Sequence, residues 1–98
     1  MAMYMAELVD RVSKALGVPR EEVVRKGVEE FLQAQLKACL AEIYELRLRY
    51  DVKGSKQLEE KIRGGLIPEH PSWEDLIILE NLEERTERIK RELETFRS

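Results

Sequence analysis

Apolar positions in this chain fall into two long seven-residue repeats of similar length. The first runs Leu32, Leu36, Cys39, Ile43, Leu46, Tyr50, in steps of 4, 3, 4, 3, 4. The second runs Leu79, Leu82, Thr86, Ile89, Leu93, Phe96, in steps of 3, 4, 3, 4, 3. A 3.5-residue repeat draws one narrow apolar stripe along a helix, and the stripe has to be buried against another helix. Two such stripes joined by a short insert predict an antiparallel hairpin of two long helices.

The punctuation between apolar runs sets the remaining elements. A first helix over Met5–Leu16 places Leu8, Val12 and Leu16 on one face, with Val9 and Ala15 beside them. Gly17 supplies the left-handed conformation that closes a helix, and Pro19 suits the first turn of the next one. The second helix then runs from about Arg20 to Tyr50, roughly 45 Å at 1.5 Å per residue. Glu21 and Glu22 sit in its first turn, where negative charge suits the dipole. Val24, Val28, Phe31 and Leu32 form its first apolar face, and Leu40, Tyr44 and Leu48 add a stripe beside the repeat. Gly27 costs about 1 kcal/mol against alanine inside a helix, so it predicts close approach by the first helix or a second subunit. Glu21–Arg25, Glu22–Lys26, Glu45–Arg49, Glu84–Arg88 and Glu87–Arg91 stand at favourable i, i+4 spacing.

Residues 51–54 break the helix, and Ser55 is the expected N-cap of a short third helix that buries Leu58 and Ile62. Gly64-Gly65 stops it. Residues 66–71 read as an extended connector, because Pro68 and Pro71 disfavour helix just before them. The fourth helix opens on Ser72-Trp73-Glu74-Asp75, a capping pattern of Ser followed three residues later by an acid. Its first turns are apolar almost all round, through Trp73 and residues 76–79. Beyond them it carries one seam, with Thr86 as its polar member, and a charged coat.

The expected fold is therefore all-α, a single domain over residues 1–98, with the short third helix at the hairpin tip and the short first helix at the opposite end. Antiparallel pairing brings Leu46 and Tyr50 near Leu79, and Leu32 or Leu36 near Phe96. One hairpin leaves Leu40, Tyr44, Leu48 and part of the Trp73–Leu79 stretch without cover. Open apolar stripes mark interfaces, and the expectation is a dimeric helical bundle built from two hairpins. The structural rival is a three-helix monomer in which the first helix covers the second stripe.

Composition narrows the function classes. The 98 residues carry 17 basic against 20 acidic side chains, a net charge of −3, which argues against tight non-specific binding to nucleic acid or an anionic membrane. The longest strongly apolar run, residues 76–79, is far too short to span a bilayer. The first residues lack a signal peptide's basic start and apolar run, so a cytoplasmic protein is expected. The lone Cys39 forms no disulfide within the chain and reads as a small hydrophobe of the seam. A single asparagine, Asn81, among many Glu, Arg and Lys leans towards a thermophile.

Candidate chemistry is sparse. Residues 69–75 hold the only histidine, His70, the only tryptophan, Trp73, and the acids Glu69, Glu74 and Asp75. His70 with Glu74 is a poor metal set without a second His or Cys, and Glu74 and Asp75 suit a helix first turn. The segment reads better as a docking point, since Trp is enriched at binding hot spots. The serines have no paired base, Gly64-Gly65 lacks the Lys-Ser/Thr of a phosphate loop, and the Glu-x-x-His pattern of di-iron bundles is absent. No catalytic residue, metal or cofactor is expected.

Residues 8–35 carry a resemblance. Leu8-Val9-Asp10-Arg11-Val12, Ala15-Leu16-Gly17-Val18-Pro19, and Glu22 through Leu32 resemble the two helices of ribbon-helix-helix proteins, a family of repressors and antitoxins. In that family the helix pairs form an intertwined dimer, and an upstream strand reads DNA. Residues 1–7 depart from that strand, being short and without an alternating basic face, so the resemblance implies a helix-turn-helix dimer module and carries over no DNA-reading residue. Residues 37–98 are similar to small archaeal helical proteins of the antitoxin-like kind. The expected function is a non-enzymatic interaction protein, antitoxin-like or adaptor, that forms a homodimer and binds a toxin or another protein through Tyr44, Leu48, Trp73, Ile77 and Ile78. The second reading is a DNA-binding regulator, in which Arg11, Lys14, Arg20, Arg25 and Lys26 supply backbone contacts.

Overall fold

A computed structural model describes residues 4–97. It contains α1 (Met5–Leu16), α2 (Arg20–Tyr50), α3 (Ser55–Arg63) and α4 (Glu69–Arg97), with no strand among the described residues. Gly17 closes α1 at φ 66°, with its N–H on the Ser13 carbonyl. Asp51 takes the same left-handed role after α2 at φ 52°, a conformation that a short polar side chain tolerates better than most. The Lys61 ammonium donates to the carbonyls of Tyr50 and Asp51 at 3.2 and 2.9 Å. These would otherwise be left over at a helix C-terminus.

α2 and α4 pair along the two predicted seams. Around the tip, Ile43, Leu46, Val52, Leu58, Ile62, Leu76 and Leu79 form one buried cluster, with Tyr50 and Trp73 packed against it. Further along, Cys39, Ile89 and Leu93 form a second, flanked by Leu32, Leu36 and Leu82. Leu32 and Leu36 thus pack beside Ile89 and Leu93, one turn before Phe96. The Phe96 carbonyl instead accepts from the Arg25 guanidinium at 2.6 Å. Cys39 is buried as a small hydrophobe.

Two predicted caps are supplied differently. Gly54, not Ser55, occupies the N-cap of α3 and offers no side chain. The Glu83 carboxylate reaches across from α4 and accepts both the Ser55 N–H, at 2.9 Å, and the Ser55 hydroxyl. In α4 the backbone is extended at His70 (φ −115°, ψ 132°), the residue before the cis proline Pro71, which sets Glu69 apart, so the regular helix runs from Pro71, one residue before Ser72. Ser72 is fully buried and its hydroxyl donates back to the Pro68 carbonyl rather than capping forward.

Thr86 occupies the seam with its hydroxyl oxygen buried and without a hydrogen-bond partner. An unpaired buried hydroxyl costs about 1–3 kcal/mol. The isosteric change Thr86→Val should therefore raise stability by about 1 kcal/mol, read as a higher urea midpoint at unchanged slope. A lower midpoint would show that the hydroxyl does useful bonding.

Candidate functional site

The structure divides the chain into a packed half and an open half. α1 packs on α2, yet none of its residues is buried. Its predicted inner face is its outer one: Leu8, Val12 and Leu16 are all exposed, whereas Val9, Asp10 and Ser13 are the half-buried positions. The turn explains this orientation, because the Ser13 hydroxyl donates to the Val18 carbonyl and Asp10 pairs with Arg20 at 2.6 Å. These polar contacts turn the apolar stripe of α1 outward. The first apolar face of α2 stays open in the same way. Val24, Val28 and Phe31 are exposed, and only Leu32 of that set is half-buried. A Cβ built on Gly27 would meet nothing within 4 Å, so α1 is not the close neighbour that this glycine predicts.

The second stripe of α2 is open too. Leu40, Tyr44 and Leu48 are 45%, 61% and 64% exposed, and α1 does not cover them. The other predicted docking residues lie elsewhere. Ile77 and Ile78 are exposed on α4. Trp73 is half-buried on the tip cluster, with the Arg63 guanidinium 5.5 Å above its ring. At about 100° per residue, Tyr44 and Leu48 point away from α4, and Ile77 points away from α2. The five predicted residues therefore line opposite edges of the hairpin instead of one patch.

The predicted nucleic-acid contacts are dispersed among acids. Arg20 is paired with Asp10, and Arg25 bonds the Phe96 carbonyl. Arg11 and Lys14 share a shallow depression with Glu7 and Asp10. Lys26 is exposed. Of the segment compared with a DNA-reading strand, residues 1–3 lie outside the described residues and Met5–Glu7 belong to α1.

The most organised polar group in the structure lies where no motif announces it. Asp75, expected as a first-turn acid, is buried between α2 and α4. Its Oδ2 accepts from the Arg49 guanidinium at 3.0 Å and from the Tyr50 hydroxyl. Arg49 thus pairs across the hairpin and not with Glu45. Burial first, then the hydrogen bond to Asp75, pushes the Tyr50 hydroxyl above its ordinary pKa, while the carboxylate raises that of Arg49. Both donors converge on that one oxygen, so the group ties the hairpin together. His70 bonds Glu74 at 3.0 Å in the open. Among the described residues no three His, Cys, Asp or Glu side chains are placed to hold a metal ion, and no helix is long and apolar enough to cross a membrane.

Set against known proteins, the chain matches a protein-family model over residues 1–97. No curated protein and no solved structure matches it.

Proposed function

The chain belongs to the uncharacterized protein MJ0235 family, and we propose that it is a non-enzymatic, cytoplasmic interaction protein that self-associates and then binds a protein partner, in the manner of an adaptor or antitoxin. One observation carries this reading: the chain exposes far more surface than a compact monomer of its mass. Its accessible area is 7699 Å² at 11.5 kDa, against about 5,800 Å² expected for a folded monomer of that size. Its radius of gyration is 19.6 Å, against roughly 12.6 Å for a compact domain of this length. The surplus is apolar where α1 and the outer side of α2 lie open, and surfaces of that kind mark contact sites.

A DNA-binding role draws less support, because Arg20 and Arg25 are engaged within the chain and acids stand among the remaining cations. Sedimentation at micromolar concentration is expected to give twice the chain mass. Capture from the native cell extract after nuclease treatment is expected to retain a stoichiometric protein. A monomer that retains no protein would overturn the reading. Partners lost on nuclease treatment, with salt-sensitive duplex binding, would favour the regulator instead.

A further inference from the structure

We infer that the outer face of α2 between Val24 and Ala41 docks a second copy of this chain, antiparallel, about a two-fold axis between Phe31 and Ala34; this rests on the self-association proposed above. Along this face Val24, Gly27, Phe31, Ala34, Ala38 and Ala41 follow in steps of 3, 4, 3, 4, 3. They form another seven-residue repeat on the same helix, and all six are exposed. At about 100° per residue, this seam lies roughly 120° around α2 from the one that α4 covers. The open space over Gly27 shows that neither α1 nor α4 covers that position, although Phe96 of α4 lies beside Val24 at the end of the seam. A sustained repeat of this kind needs a helix against it.

Side-chain volume selects the antiparallel register. It sets Phe31 against Ala34 of the second copy, Val24 against Ala41, and Ala38 against Gly27, so each large side chain meets a small one. Flanking the seam, Val23, Glu30, Lys37 and Tyr44 recur at intervals of seven. The same register places Glu30 opposite Lys37 of the second copy, twice by symmetry, and Val23 opposite Tyr44. A parallel pairing would set Lys37 opposite Glu42 but stack Phe31 on Phe31 and small residues on small ones, so volume decides between the two. Flanking ion pairs of this kind strengthen a helix–helix contact.

The register also accounts for both open stripes. Val23 is half-buried although α4 lies on the far side of α2, so α1 is what covers it. α1 therefore occupies the flank that meets Tyr44 of the second copy. Its Leu8, Val12 and Leu16 come against the Leu40, Tyr44 and Leu48 stripe of that copy, and the reverse contact forms by symmetry. Leu8, Val12, Leu16, Val24, Phe31, Leu40, Tyr44 and Leu48 are 41% to 71% exposed, apolar surface of the order that each partner brings to a stable interface, about 800 Å².

Charge reversal tests the register with exposed residues that leave the fold of one chain alone. Glu30→Lys and Lys37→Glu each set like charges opposite one another at two places. Each should weaken the dimer roughly tenfold or more at low salt, by sedimentation equilibrium. The double exchange should restore it to within about threefold, with helical content constant throughout. Ala34→Arg, at the centre of the seam, should give a monomer of unchanged helicity. A wild-type dimer indifferent to Ala34→Arg, or single reversals that the double exchange does not rescue, would overturn this interface and leave self-association standing. A wild-type monomer would remove both.

Discussion

Leu79→Ala is expected to destabilise the protein by about 3 kcal/mol, the largest loss from any single truncation. Leu79 is fully buried, at the point where residues of α2, α3 and α4 meet. Leu58 and Leu76 pack there with it, and Ile43 and Leu46 face it from α2. Helices on several sides hold the space open, so the cavity cannot close by sliding one element inwards. A loss of this size is a large fraction of the 5–15 kcal/mol that stabilises an ordinary domain. Urea denaturation at neutral pH would show it as a lower midpoint. A change under about 1 kcal/mol would mean that the tip is loosely packed and that stability resides in the Cys39–Leu93 cluster.

Asp75→Ala should cost about 2 kcal/mol, through the loss of two hydrogen bonds to an ionised acceptor. The figure stays moderate because Arg49 is half in solvent and regains water when its partner goes. Asp75→Asn keeps the shape and one acceptor, and about 1 kcal/mol is expected. The Tyr50 hydroxyl adds a pH signature. Its pKa is raised in the fold above its ordinary value of 10.0, chiefly by burial. The folded state therefore favours the proton that the unfolded chain has begun to lose. The stability from this group is fully present below about pH 10 and is lost as pH rises through the folded value. Tyr50→Phe should flatten that decline above about pH 10. An identical decline in the variant would assign the alkaline loss to other groups.

The hairpin itself is legible in the sequence, because its seams and stops are local. The steps of three and four locate both long helices. The Gly17-Val18-Pro19 turn and the break after Tyr50 set the ends of α1 and α2 where the structure has them. What local patterns miss is long-range polar pairing. Ser72 and Asp75 satisfy a capping motif on paper, yet the repeat of α4, followed two turns back from Leu79, passes through both in steps of 4 and 3. That continuation is the signal that they are buried. Glu83 carries no comparable mark, since its partner Ser55 lies 28 residues away. The orientation of α1 was also hidden. An apolar stripe announces that it will be covered, but not whether the cover comes from its own chain.

That last point bears on how a newly made copy fares. α1 orders twelve residues, at roughly 1–2 kcal/mol of backbone entropy each, and buries none of them in return. In the proposed dimer its helix is tied to the second copy that covers it. Until then the N-terminal third opens far more easily than the hairpin tip, and it offers proteases an entry point. A lone copy would be cleared ahead of an assembled one, so the cell's supply of this protein would follow its assembly state as well as its synthesis.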